Sequence, residues 1–415
     1  MTAIAADAPL RTRLGVAVVP LLALAVFINY VDRGNLATAG PLIKDELHLS
    51  AAQFGLIVSA FFWSYTPGQL LAGWMADRVN PYRTLALGVA VWSLATVASG
   101  LVTGFAALIG LRILLGLGET AVFPCAGQVI GGNLPEHQRG AANGLVGMGT
   151  ALGPAFGTFV GGLVMAKYGW RPAFLMFGSA SLLWLVPWAL AARGAPRPTP
   201  TRDQAAPSFG AICRRREAWG AGLGHFANNY AFYFVITWLP VYLVKARGYS
   251  MAEMATTGGL IYITYAASSF SMGWLADRLI AAGRSVTTVR KTWAAAGLVL
   301  VAAALVIGAA GDAQTSLIAL YFAAWGFGIV GPTMYSIGQT LAGPHAGGKW
   351  IGFQNGLGNI AGIVGPVITG VLVDRTGGFG AAFAVSAGIA LVGVFGWLAM
   401  IPKVAPIDWA PYRGS

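Results

Sequence analysis

Gly73-Trp74-Met75-Ala76-Asp77-Arg78 and Gly273-Trp274-Leu275-Ala276-Asp277-Arg278 are near-copies of one segment, one in each half of the chain, each closing a long apolar run. A second pair of copies follows them. Asn143-Gly144-Leu145 leads to Gly153-Pro154, and Asn355-Gly356-Leu357 leads to Gly365-Pro366 with the same internal spacing. Two independent matches at corresponding places indicate a duplicated chain. Duplicated helical halves with substrate held between them are a hallmark of secondary transporters.

Composition agrees with that reading. The chain has 415 residues, 56% of them hydrophobic and only 10% charged, with a mean hydropathy of +0.68. So few polar groups cannot cover a water-soluble globule of this size. A bilayer core needs roughly 20 apolar residues per helix, and twelve such runs begin near residues 14, 52, 83, 105, 140, 172, 219, 253, 292, 315, 350 and 380. The expected fold is an all-α membrane protein with twelve transmembrane helices in two pseudo-symmetric six-helix bundles. The polar, Arg- and Pro-rich stretch after the sixth run divides the chain into a bundle over 1–192, a cytoplasmic linker over 193–217 and a second bundle over 218–415.

The formal charge of +12 is topological. Of the 26 Lys and Arg residues, Arg33 and Arg112 lie inside runs, and Lys44, Lys167, Arg171, Lys245, Arg247 and Arg375 fall on one side. All the rest fall on the other, which places both termini in the cytoplasm by the positive-inside rule. Basic residues gathered in short loops between spanning runs do not form a nucleic-acid surface. The apolar run after Arg11 and Arg13 is too long for a signal-peptide core and reads as a retained first span. Cys125 and Cys213 fall in different environments and imply no disulfide framework. His225 has no second His or Cys at ligand spacing, so no metal is expected, and no cofactor motif is present.

The residues carry a family pattern over essentially the full length. Gly73 to Arg83 resembles the loop signature between helices 2 and 3 of the major facilitator superfamily, and Gly149 to Pro154 resembles its glycine-proline segment in helix 5. Asn29-Tyr30-Val31-Asp32-Arg33, Arg112 to Glu119 followed by Phe123-Pro124, and Thr237-Trp238-Leu239-Pro240 together resemble the anion:cation symporter family, which includes proton-coupled carriers of sugar acids and other organic anions. The resemblance implies a monomer in the cell inner membrane, a central cavity lined by helices 1, 4, 7 and 10, and proton carriers at the positions of Asp32 and Glu119. Two departures stand out. Asn80, Pro81 and Tyr82 occupy the stretch where the loop signature continues with Gly and a basic residue, and Leu145 stands near a helix 5 position where some sugar-acid carriers have glutamine.

Polar residues inside the runs point the same way. Spans 3, 6, 9 and 12 are nearly featureless, whereas span 1 carries Tyr30, Asp32 and Arg33, span 4 Arg112 and Glu119, span 7 Asn229 and Tyr233, and span 10 Tyr335 and Ser336. An intramembrane charge costs about 2.5–3.5 kcal/mol on insertion scales, so each needs a partner or a function. Arg33 and Arg112 sit about two turns from the outer ends of antiparallel helices, hence at similar depth, where their planar forks could clasp one carboxylate. Tyr30, one turn from Arg33, and Tyr65 with Gln69 in span 2 could join the ligand, as could Asn355 and Asn359, one turn apart on span 11. Glu119 and Asp32 are the candidate proton-coupling groups, because desolvation and a nearby arginine pull a carboxylate's protonation in opposite directions. Asp77, Arg78, Asp277 and Arg278 read as cytoplasmic gate contacts.

Alternatives stand beside each of these: outward snorkelling for Arg33 and Arg112, a permanent ion-pair network for the carboxylates, interhelical hydrogen bonding for Tyr65, Gln69, Asn355 and Asn359, and topological anchoring for the gate residues. The leading function is import of an organic anion, such as a hexonate or hexuronate, by proton symport through alternating access. An aromatic-acid or other monocarboxylate symporter, and an exchanger or exporter without proton coupling, remain open. A membrane-embedded enzyme using His225, Asp32 or Glu119 lacks any nucleophile, metal or nucleotide motif, and paired arginines argue against a carrier of cationic drugs.

Overall fold

The computed structural model describes residues 4–78, 80–133, 136–193 and 207–409; side chains at 4–17, 70, 73, 74, 76–78, 131–133, 136–141, 143, 144, 151, 344, 345 and 348 are outside the described set. Among the described residues there are helices and no strands. The first six spans are Ile4–Glu46, Ala51–Arg78, Pro81–Ser99, Phe105–Glu119 with Val122–Asn133, Glu136–Phe156 continued to Tyr168 through a π-helical turn, and Trp170–Leu183 with Leu185–Ala191. The second six are Arg216–Val241, Met251–Ala281, Val286–Ala310, Ala313–Gly343, Lys349–Thr376 and Gly380–Phe395. Their starts match the apolar runs to within a turn or two, except that the first helix begins at Ile4, well before its apolar stretch.

Among the described residues, seven of these stretches are apolar enough to cross a bilayer on length and composition alone. Span 7 is among the others, because it carries the buried amides described below. Spans 10 and 11 run as one helical stretch from Ala313 to Thr376, interrupted at Gly343 with φ 64° and ψ −173°. A side chain is strained at that φ, so glycine is the residue that lets the chain turn back there. The C-terminal segment then closes the end of span 10: Ile407 N donates to Leu341 O at 3.0 Å and Trp409 Nε1 to Ala342 O at 2.9 Å.

The chain forms two compact units, Met1–Thr201 with Leu243–Gly259, and Arg202–Tyr242 with Leu260–Ser415. Within the first unit Lys245 pairs with Asp45, and Arg171, at the start of span 6, holds the loop after span 3 by donating to Gly100 O at 3.2 Å and Val102 O at 2.6 Å.

Lipid offers no hydrophobic drive between helices, so small residues and side-chain hydrogen bonds carry the packing. In the first unit Gly153 sets span 5 against span 1 so closely that a Cβ there would lie 2.6 Å from Tyr30 Cβ. The counterpart in the second unit is looser, with a Cβ at Gly365 falling 3.6 Å from the Tyr230 ring. A second contact also recurs. Ser64 Oγ donates to Ile113 O at 2.6 Å beside Gly116, and Ser268 Oγ donates to Trp325 O at 2.7 Å beside Gly328. The duplication read from loop sequences is therefore repeated in the helix contacts of each half.

Candidate functional site

In the first unit, span 1 is pinned by span 5 through Gly149, Gly153 and Gly157, which face Phe27, Tyr30 and Val31. That contact fixes the rotation of span 1 and with it the directions of Tyr30, Asp32 and Arg33. Arg33 reaches span 4, where its Nε lies 2.7 Å from Glu119 Oε2; Glu119 is fully buried and the Arg33 side chain is 17% exposed. The guanidinium sits among three rings, with its Cζ 4.8 Å from the centre of Tyr30, 5.0 Å from Phe61 and 4.4 Å from Tyr65. Phe61 is also 5.3 Å from the Arg112 Cζ and stacks on Tyr65 at 4.9 Å. One ring thus serves both arginines.

Phe61 is the residue that sequence reading missed. Its signal is the stripe Phe61, Tyr65, Gln69, spaced one helical turn apart on span 2. A polarity search passes over phenylalanine, yet a ring face attracts a guanidinium by about 0.5–2 kcal/mol, more when desolvated.

Two guanidiniums and two carboxyl groups, all buried or nearly so, make up this cluster, and with all four ionised it would be neutral as a whole. Asn35 Nδ2 donates to Asp32 Oδ1 at 3.4 Å, a long bond, and Asp32 Oδ2 and Glu119 Oε1 are buried without a hydrogen-bond partner among the described residues. The same is true of the donors Arg33 Nη2 and Arg112 Nε. Leaving charged donors and acceptors buried and incompletely bonded is costly. The cluster can therefore accept a further anion at its guanidiniums and a proton at its carboxylates. Gln69 is half-buried on span 2.

Among the described residues no Asp, Glu, Lys or Arg of the second unit is fully buried. Asn228, Asn229 and Asn359 are buried, and Tyr233 Oη donates to Asn359 Oδ1 at 3.1 Å, joining span 7 to span 11. Asn355 is half-buried one turn before Asn359. Tyr335 is exposed and meets the buried His225 ring edge-on at 5.4 Å, so His225 lies inside the helix packing rather than at an interface. Ser336 Oγ donates to Pro332 O of its own helix at 2.9 Å, which commits its hydroxyl hydrogen.

Of the expected gate residues, Asp77 and Arg78 end span 2, but their side chains lie outside the described residues. Asp277 is exposed and accepts from Arg290 Nη2 at 2.6 Å, while Arg278 lies over the Trp274 ring at 5.0 Å.

Residues 22–363 match the model of the Major Facilitator Superfamily. A hexuronate transporter of Bacillus subtilis is 32% identical over 414 residues, covering 95% of this chain and 96% of the relative. A probable sulfoacetate transporter of Cupriavidus necator is 30% identical over 403 residues, covering 92% and 93%. A D-galactonate transporter of Escherichia coli is 27% identical over 409 residues, covering 92% and 95%. Among solved structures, a bacterial homolog of the human lysosomal transporter Spinster, inward-facing and occupied, superposes with a TM-score of 0.76 at 20% identity, covering 92% of this chain and 94% of that one. Its low identity speaks to the fold alone. From a family match over most of its length, and from a relative 32% identical across nearly all of both chains, the chain belongs to the Major Facilitator Superfamily and is a multi-pass membrane transporter, not an enzyme.

Proposed function

We propose that this transporter imports an organic anion of the sugar-acid class together with protons, by opening one site to each side of the membrane in turn. The observation that carries the proposal is the contact between Arg33 and Glu119. A carboxylate substrate binding Arg33 competes with Glu119 for the same guanidinium. The displaced carboxylate, buried and deprived of its counter-ion, then takes up a proton. With all four groups ionised the cluster is neutral, and each negative charge that the substrate then brings calls for at least one proton to restore neutrality. Arg112 supplies the second arm of the clasp and Asp32 the second protonation site. Tyr30, Tyr65 and Gln69 in the first unit, and Asn229, Tyr233, Tyr335, Ser336, Asn355 and Asn359 in the second, are the proposed contacts to the rest of the substrate.

Relatives named for hexuronate and D-galactonate transport support the sugar-acid class, and buried amides supply the paired donors and acceptors that hydroxyl groups need. A second reading, a carrier of aromatic or other monocarboxylates, draws on the rings of Tyr30, Phe61 and Tyr65 around Arg33. The bundles over 1–192 and 218–415, the linker between them, an inner-membrane location with cytoplasmic termini, a monomeric state and gate roles for Asp77, Arg78, Asp277 and Arg278 complete the proposal. Proteoliposomes with an acid-outside gradient test it, using labelled hexonates, hexuronates, aromatic acids and phosphate esters. Accumulation of a hexonate or hexuronate, collapsed by a protonophore, is expected. Gradient-driven accumulation of aromatic acids alone would favour the second reading, and indifference of every anion to the gradient would contradict both.

A further inference from the structure

The basic residues around the second unit differ in what they hold. Arg290 pairs with Asp277, Lys291 Nζ donates to Leu398 O at 2.9 Å and Ile401 O at 2.7 Å, and Lys349 Nζ donates to Pro207 O at 2.8 Å. Arg214 and Arg216, at the junction of the linker with span 7, are exposed and make no ion pair among the described residues. Between them Arg215 approaches Glu217 at 3.8 Å, so the junction keeps a positive excess.

Beside these arginines lies an aromatic platform. Phe353 of span 11 packs edge-on to Phe209 at 5.8 Å and to Trp219 at 5.3 Å. Trp219 Nε1 donates to Cys213 O at 2.8 Å, which fastens the short turn Phe209–Cys213 to the first turn of span 7. Phe209 and Trp219 are nonetheless exposed. Span 7 is 26 residues long, or about 39 Å at the helical rise, against a hydrocarbon core of about 30 Å. The helix thus exceeds the core, and the exposed arginines and tryptophan at its first turn mark that end as the one in the headgroup layer, where tryptophan settles and arginine meets lipid phosphate.

We infer that Arg214 and Arg216, with the Phe209, Trp219 and Phe353 platform, form a docking site for the headgroup of an anionic phospholipid. The rings lie against the acyl boundary and the two guanidiniums hold the phosphodiester, which Arg binds in a forked geometry. Electrostatic attraction of an exposed basic residue to an anionic leaflet is worth on the order of a fivefold change in affinity per charge at low salt. The site is independent of the transported substrate.

The test is native mass spectrometry of the full-length protein in detergent, titrated with phosphatidylglycerol or phosphatidylcholine. Wild-type protein is expected to retain phosphatidylglycerol in preference, and the preference should shrink as salt rises. Arg214→Gln with Arg216→Gln should weaken phosphatidylglycerol retention by about 30-fold at low salt, whereas Arg284→Gln with Arg375→Gln, two exposed residues outside the segments that form the platform, should leave it nearly unchanged. Equal retention of the two lipids by wild-type protein would overturn the inference without reliance on any variant. Equal losses in both double variants would also overturn it, by reducing the preference to diffuse charge.

Discussion

Arg33 Nε is 2.7 Å from Glu119 Oε2, across spans 1 and 4. The proposed anion-binding cation and the proposed proton-carrying acid are thus one ion pair. Coupling then needs no relay between distant sites, because substrate and carboxylate compete for the same guanidinium. A buried pair of this kind contributes little net stability, since desolvation offsets its attraction, while removal of one partner leaves the other charge uncompensated.

Arg33→Lys keeps the charge but loses the fork and the flat face that the three rings contact. Charge-assisted hydrogen bonds are worth about 1.5–3 kcal/mol. The half-saturation concentration for uptake should rise about 10- to 150-fold by the same figures, as read from initial rates in proteoliposomes. A rise of less than about twofold, too small for even one such bond, would remove Arg33 from the clasp.

Phe61→Leu takes away the ring shared by Arg33 and Arg112 while preserving an apolar side chain. With cation–π contacts worth about 0.5–2 kcal/mol, anion affinity should fall by about 2- to 30-fold by the same figures, and Tyr65→Phe, which keeps its ring, should cost less. The same uptake titration decides. Equal effects would mean that the Tyr65 hydroxyl matters more than the ring faces.

Gly153→Ala and Gly365→Ala should differ, although the two glycines occupy repeated motifs. The first places a Cβ 2.6 Å from Tyr30 Cβ, the second 3.6 Å from the Tyr230 ring. Overpacking costs about 1–3 kcal/mol, so Gly153→Ala should lower the melting temperature in detergent and impair uptake, while Gly365→Ala should change neither appreciably. Equal melting temperatures would contradict the close approach at Tyr30.

Much of the fold was legible in the sequence. Twelve apolar runs of spanning length and two copied motifs have physical consequences that do not depend on tertiary detail. One further repeat gains its meaning only from the packing: Asn29-Tyr30 and Asn229-Tyr230 are the same dipeptide in spans 1 and 7, and each tyrosine packs against the glycine of a Gly-Pro pair. The charged members of the candidate site were also legible, because a charge inside a span is costly and therefore conspicuous. Their pairing was hidden. Sequence places Asp32 beside Arg33 but cannot give the rotation of span 1 relative to span 4, which brings Glu119 to Arg33 instead. Nor could it set Phe61 between the arginines or bury His225, since both depend on which face of a helix meets its neighbour.

Asp277 is a test of the gate proposal. Its carboxylate is 70% exposed and paired with Arg290, and exposed ion pairs are worth about 0–1 kcal/mol. Asp277→Asn should therefore leave the melting temperature almost unchanged. Lost transport at unchanged stability would support a gate role, and normal transport would reduce Asp277 to a loop contact.

The central claim is tested most directly by Glu119→Gln in proteoliposomes, with gradient-driven accumulation and substrate exchange measured on the same preparation. The amide that replaces the carboxylate can still accept a hydrogen bond from Arg33 but cannot take up or release a proton at working pH. The account predicts that accumulation under an acid-outside gradient is lost, that initial uptake no longer falls as external pH rises, and that exchange of labelled for unlabelled anion persists. Full gradient-driven accumulation in the variant would contradict it.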